Sequence, residues 1–464
     1  LRLQSLYIRH YHDACQERIF AHILEVNGRY DGSSKFAKDH RYAFFPSVSA
    51  AWRISEENFW QPLKGWWNDM KIRGSYGSLG NQVMDDLGNF PYLATYGTNS
   101  SYNYLINGSK PVIVKAPGLV APDFTWETVT QMDFGFDASF LNNRLTGTFD
   151  WYRRNTKDML VAGATLPATL GASVPKSNSA DMKTIGWELS LGWNDRLENG
   201  FSYWVKGVLS DYQATITKYA GNDAGFYSQS DGDGKYYVGQ KIGEIWGYHS
   251  NGLFQSDDEA ATIDQSELYA GKWGAGDVKY EDLDNDGKIT KGEETIYNPG
   301  DKSIIGNKTP RYQFGITVGF DYKNFDFEMF WQGTGKRDYM LSGAQFWGFT
   351  SQWDVPYTPA LDYWTETNTD AYFPRPGWQN GGNRVTSDRY LQSAAYGRLK
   401  NLTVGYTIPK NLTTKWGISR LRLYVTGENL LTITPLNDAF DPETLGGMTY
   451  PINRKVAIGL NLTL

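Results

Sequence analysis

The chain has 464 residues, a formal net charge of −6, a mean hydropathy of −0.51 and one cysteine, Cys15. The acidic balance offers no footprint for nucleic acid, a single cysteine permits no internal disulfide, and no stretch approaches the roughly 18 apolar residues of a membrane helix. Aromatic content is high, with 31 Tyr, 23 Phe and 17 Trp, which suits both membrane β-barrels with interfacial girdles and carbohydrate-binding all-β proteins.

The chain opens at Leu1 with no initiator methionine and no signal peptide, as expected of a processed or partial chain. Residues 1–22 read as an atypical stretch, and the 23–464 remainder as one barrel unit. His10 and His12 are expected to be incidental, and the five histidines form no metal-ligand spacing. Strands are expected over 19–30, 45–54 and 70–79. After a long connection over 80–128, Met132, Phe134, Phe136, Ala138 and Phe140 alternate with Asp133, Gly135, Asp137 and Ser139. Across a tight Asn142-Asn143 turn, Leu145, Gly147, Phe149 and Trp151 alternate with Thr146, Thr148, Asp150 and Tyr152, which is a hairpin signal.

A second long connection, 156–184, leads to Trp187, Leu189, Leu191 and Trp193, with 201–210 as the partner strand. The 220–310 connection is the longest. Strands 312–322 and 325–333 follow, joined across Lys323-Asn324, with Phe330 an inward exception among Asp326, Glu328 and Gln332. A fourth long connection, 335–394, precedes 396–407 and the alternating Leu421, Leu423 and Val425. Finally Val456, Ile458, Leu460, Leu462 and Leu464 alternate with small or polar residues over about 10 positions, the length of a tilted strand crossing a bilayer.

The charged residues Asp133, Asp150, Glu188, Glu328 and Arg422 all fall on the polar face of their strands. Compact soluble domains rarely hold loops beyond about 12–15 residues, whereas membrane barrels pair short periplasmic turns with long extracellular loops. The fold class expected is therefore all-β, a transmembrane antiparallel β-barrel in outer-membrane lipid, with about twelve strands here and the long loops outside.

One stretch carries recognisable chemistry. In Asp282-Leu-Asp284-Asn-Asp286-Gly287-Lys288-Ile289-Thr290-Lys-Gly-Glu293, carboxylates stand at positions 1, 3 and 5 of a twelve-residue calcium loop. Glycine follows at 6, an apolar residue at 8 and glutamate at 12. Asp282, Asp284, Asp286, the Lys288 carbonyl and Glu293 are expected to hold a divalent cation, Ca2+ before Mg2+, in a structural role. The alternative is a solvated acidic turn. No Gly-x-Ser-x-Gly element, His-Glu-x-x-His pair or P-loop is present, so no enzyme is expected. Asp231 and Asp233, like Asp257, Asp258 and Glu259, are expected to be solvated. The aromatics of 335–394, above all Trp347, Trp353, Trp364 and Trp378, are expected either to stack on a substrate or to pack within the loop.

Several segments, in succession, resemble one family. They are Gly28-Arg-Tyr-Asp-Gly-Ser-Ser-Lys-Phe36, Phe44-Phe-Pro-Ser-Val-Ser-Ala-Ala-Trp52, Lys71-Ile-Arg-Gly-Ser-Tyr-Gly77 and Asn155-Thr-Lys-Asp-Met-Leu160. Gly276 to Gly287, Ile305-Gly-Asn-Lys-Thr-Pro-Arg-Tyr312 and Tyr450-Pro-Ile-Asn-Arg454 complete the order. Over about 25–464 the chain resembles SusC/RagA-type TonB-dependent transporters. The resemblance implies roughly the C-terminal half of a 22-stranded barrel, whose upstream plug segment contacts TonB and whose mouth is covered by a SusD-like surface lipoprotein. It further implies import of oligosaccharides or peptides across the outer membrane of a Gram-negative cell. A passive porin, or a soluble calcium-stabilised carbohydrate-binding protein, stands as the alternative.

Overall fold

The computed structural model describes residues 8–9, 21–82, 90–99, 105–106, 108–110, 112–121, 123–163, 166–227, 236–445 and 450–464. Cys15, His10, His12, Asp231 and Asp233 lie outside them, as does nearly all of the atypical 1–22 stretch. Twelve long strands form one antiparallel sheet. They are β1 (His22–Gly32), β2 (Tyr42–Arg53), β3 (Trp67–Asn81), β4 (Glu127–Phe140), β5 (Leu145–Ala162) and β6 (Lys176–Arg196). After them come β7 (Ser202–Tyr219), β8 (Arg311–Tyr322), β9 (Phe325–Lys336), β10 (Tyr396–Thr407), β11 (Arg420–Ile433) and β12 (Lys455–Thr463). Each strand pairs with its sequence neighbours, so the order is a simple meander. Ile8–Arg9 adds a two-residue pairing on the far side of β1. No described helix is long and apolar enough to cross a membrane.

The register keeps the two faces of every strand distinct. Phe134 stands opposite Trp151, Phe136 opposite Phe149, Val404 opposite both Phe327 and Val425, and Val425 opposite Ile458. These residues form one apolar face, much of it exposed, such as Ile458 at 84% and Phe134 at 52%. Water would not tolerate an apolar surface of that extent, and lipid does. Phe330 lies on the polar face with Asp326, Glu328 and Gln332, and its ring approaches the Gly315 backbone.

The short turns gather at one rim. Lys323, at φ 55°, opens the two-residue β8–β9 connection. The β4–β5 turn spans four residues instead of the expected two. Leu141, Asn142 and Asn143 are all left-handed there (φ 55°, 57° and 63°), a conformation asparagine tolerates better than most residues. Aromatic stacks cross the strands at the same rim: Trp67 with Phe140 (5.0 Å), Phe201 with Phe320 (5.5 Å) and Phe320 with Phe327 (5.0 Å). This is the girdle expected where apolar rings meet a polar interface.

At the opposite rim the long connections are folded. Tyr248, Val278, Tyr280 and Ile289 of 220–310, Leu341, Phe346, Trp347, Phe373 and Tyr390 of 335–394, and Leu436, Phe440 and Leu445 after β11 share one core. The 156–184 connection proves shorter than expected, because β5 and β6 run on past it. Met159, Val161 and Met182 pack there against Ala180, Ile216 and Tyr219, which gives the extended ladder an apolar contact of its own.

Two outcomes follow. Val425→Arg places a cation on the lipid face and should cost about 2–4 kcal/mol, whereas Thr426→Arg on the polar face should be tolerated; urea titration of the folded, SDS-resistant barrel measures both. Phe346→Ala empties a fully buried ring position at a cost of about 3–5 kcal/mol to the loop core. New protease cleavage within 335–394 should appear on intact cells while the barrel keeps its SDS resistance.

Candidate functional site

On the polar face, charged residues are tied to one another across strands. Arg73 of β3 donates to Asp150 through Nη2 (2.7 Å) and to Asp137 through Nε (3.3 Å), while Lys71 reaches Asp137 at 3.6 Å. Ser75 Oγ donates to Asp133 (3.0 Å), and Arg422 Nε to Asp326 (2.8 Å). Glu188 stays exposed beside Asp150 in the ladder. Ion pairs between neighbouring strands brace this polar wall without closing it to water.

The aromatic loop divides its tryptophans into two kinds. Trp347, expected as a possible stacking face, is 9% exposed and meets the Tyr390 ring edge-on at 4.6 Å. Trp364 packs against the same core, and its backbone N–H donates to the Phe373 carbonyl. Both hold the loops together, Trp347 with its ring buried and Trp364 with its ring partly buried, because folded loops at this rim need an apolar core of their own. Trp353 and Trp378 are the exposed pair, at 83% and 45%.

The acidic loop folds as a tight turn whose carboxylates accept backbone N–H groups. Asp282 accepts from the Asp286 and Gly287 N–H groups (3.2 and 2.7 Å), and Asp284 from Asp286 N–H (3.2 Å). Gly287 takes φ 83°, the conformation its position demands. Ile289 is buried in the loop core and anchors the turn. The third carboxylate, however, is Asp301: Asp282, Asp284 and Asp301 bring oxygen atoms within 4.8 Å of one another.

Asp286 and Glu293, both expected as ligands, do not join that group. The backbone beyond Ile289 folds back on itself, with Gly292 against Gly300, instead of continuing as a helix. Glu293 N–H donates to the Asn298 carbonyl and its side chain faces solvent, while Asp301 comes in buried, accepting from Leu283 and Thr290 N–H (2.8 and 2.7 Å). Partial desolvation and the charge of Asp286 hold the Asp284 carboxyl above the usual range. Against desolvation, the N–H groups of Gly287, Asn285 and Asp286 draw Asp282 below it.

Further residues carried no sequence signal. His249 Nδ1 lies 2.7 Å from Asp388 Oδ2 and its Nε2 2.7 Å from Ser303 Oγ, while Ser250 N–H donates to Asp388 Oδ1 at 3.0 Å. One imidazole thus fastens the 220–310 and 335–394 loops together. Nothing in the spacing of these residues could have shown it, since His249 and Asp388 are 139 positions apart.

Residues 21–430 match the family model described as TonB dependent receptor-like, beta-barrel. The TonB-dependent receptor P3 of Formosa agariphila is 30% identical over 95% of this chain and 44% of its own length. The TonB-dependent receptor SusC of Bacteroides thetaiotaomicron is 28% identical over 94% of this chain and 41% of its own length. In fold, the chain is similar to a component of the RagAB peptide importer in its closed-closed state, with a TM-score of 0.74 at 23% identity, over 95% of this chain and 46% of that one. The chain thus spans less than half the length of these relatives. The relatives are receptors and transporters, not enzymes. The chain, a lipid-facing strand meander with a paired polar wall and folded outer loops matched over 21–430, belongs to the family of TonB-dependent receptor-like β-barrels, which lie in the outer membrane.

Proposed function

We propose that this chain forms the wall and outer loops of an importer that takes up oligosaccharides or peptides with energy delivered through TonB. The observation that carries the reading is the family match over 21–430, which takes in β1 to β10, most of β11 and the two longest loops. The polar wall suits a water-filled path for hydrophilic cargo. The exposed Trp353 and Trp378 suit contact with a cargo or with a SusD-like lipoprotein covering the mouth. In the whole protein, TonB would engage a plug segment ahead of these strands. Deleting tonB from the native cell should abolish growth on the imported substrate as completely as deleting this gene, and the complex should purify with a lipoprotein. Undiminished uptake without TonB would sink the reading and favour passive conductance.

The acidic loop adds a structural divalent cation to the proposal. Three carboxylates within 4.8 Å, with hard oxygen donors throughout, fit calcium better than a softer metal. The ion would relieve the repulsion among Asp282, Asp284 and Asp301 and pin the loop core through Ile289. Calcium should slow proteolysis of 220–310 in the intact complex, EGTA should reverse that, and Asp284→Asn should remove the response. Equal cleavage with calcium and with EGTA would rule the ion out.

A further inference from the structure

The outer loops line an open cavity of about 350 Å³, within the roughly 300–1,000 Å³ of small-ligand sites. It lies beside the two-stranded ladder formed by Glu244–Tyr248 and Lys302–Asn307. One wall carries the Trp246 ring, which stacks at 4.1 Å and 11° on the buried Tyr227 behind it. Lys302 lies over the Tyr227 ring at 5.8 Å and pairs with Glu294 at 2.8 Å, so those two charges cancel within the wall.

Glu244 and Lys308 also line the cavity, and they differ. Glu244 is only 7% exposed, and its carboxylate accepts from the Tyr237 hydroxyl and from Lys241 N–H (3.1 Å). Both donors are neutral, and among the described residues no cation stands within ion-pair distance of it. Lys308 follows Asn307, the ladder partner of Glu244, and among the described residues it has no carboxylate partner. Two opposite charges thus face one cavity without joining each other. A carboxylate held so far from water without a cation is costly unless a ligand supplies one.

We propose that this cavity binds a zwitterionic peptide, its ammonium on Glu244, its carboxylate on Lys308 and an apolar or aromatic side chain on the Trp246 ring. The inference rests on the importer reading and names the ligand class at its outer mouth. A neutral sugar could stack on Trp246 but would leave the buried Glu244 without a cation. A polyanionic glycan would meet Glu244.

Calorimetry on the intact complex, extracted from the outer membrane in detergent, tests this with alanyl-phenylalanine, its N-acetyl form, its C-amide form and maltohexaose. The free dipeptide should bind, and each blocked form should bind roughly tenfold more weakly, the loss of one charge-assisted contact. Glu244→Gln should weaken the free and amidated forms but leave the acetylated form unchanged, and Lys308→Gln should do the converse. No binding of the dipeptide, equal affinity for free and blocked forms, or displacement of the dipeptide by maltohexaose would overturn the proposal, and these comparisons use the unaltered protein. Uptake by cells is scored separately. Normal TonB-dependent uptake with equal affinities overturns this inference alone, whereas uptake indifferent to TonB overturns the importer reading beneath it.

Discussion

In hydrocarbon there is no water to satisfy a backbone N–H or C=O, so each must find its partner within the protein. Everything else in this structure depends on that requirement. It compels long, uninterrupted ladders and forbids the chain to wander until it leaves the lipid. The β6–β7 ladder runs continuously from Arg196 opposite Ser202 to Met182 opposite Ile216, with its first irregularity only beyond Ile216, at the outer rim. The β5–β6 ladder likewise keeps register until Thr156, near the same rim. Inside the sheet, β10 is the exception, shifting register against both β9 and β11 at Lys400.

The ladder also separates two chemistries at every residue. A period of two sends alternate side chains to lipid and to the polar wall, so one strand serves both environments at once. On the wall, charges are affordable because each strand offers partners to the next, as Arg73 does between Asp137 and Asp150. Beyond the ladder, the loops are released from the lipid but lose its organising force. They regain order by building a second core, aromatic and interlocked, and by polar ties such as His249 between Ser303 and Asp388. The cavity beside Glu244 lies where this second core meets the strand ends.

Much of this was legible in the residues. Strand positions, facing and the orientation of long and short connections all follow from alternation and turn chemistry, because lipid and water impose the pattern directly on neighbouring residues. The tight turn at Asp282, Asp284 and Gly287 was legible for the same reason, since these residues lie within one turn of chain. The third carboxylate was not. Asp301 enters only because Gly292 and Gly300 pack together, an event with no local signature. The tryptophans of 335–394 show the same limit: composition marks them as aromatic, yet only packing separates buried Trp347 from exposed Trp353.

The sequence by itself determined the class, the membrane-facing surface, the polar wall and which end of the barrel carries the loops. Each is a local consequence of solvent acting on a two-residue repeat. The tertiary structure decided which loop residues come together: Asp301 with Asp282 and Asp284, His249 with Asp388, and Glu244 with Lys308 in the lining of one cavity. Those contacts join residues far apart in the chain, and they are fixed by the packing of a shared core, which no repeat in the sequence encodes.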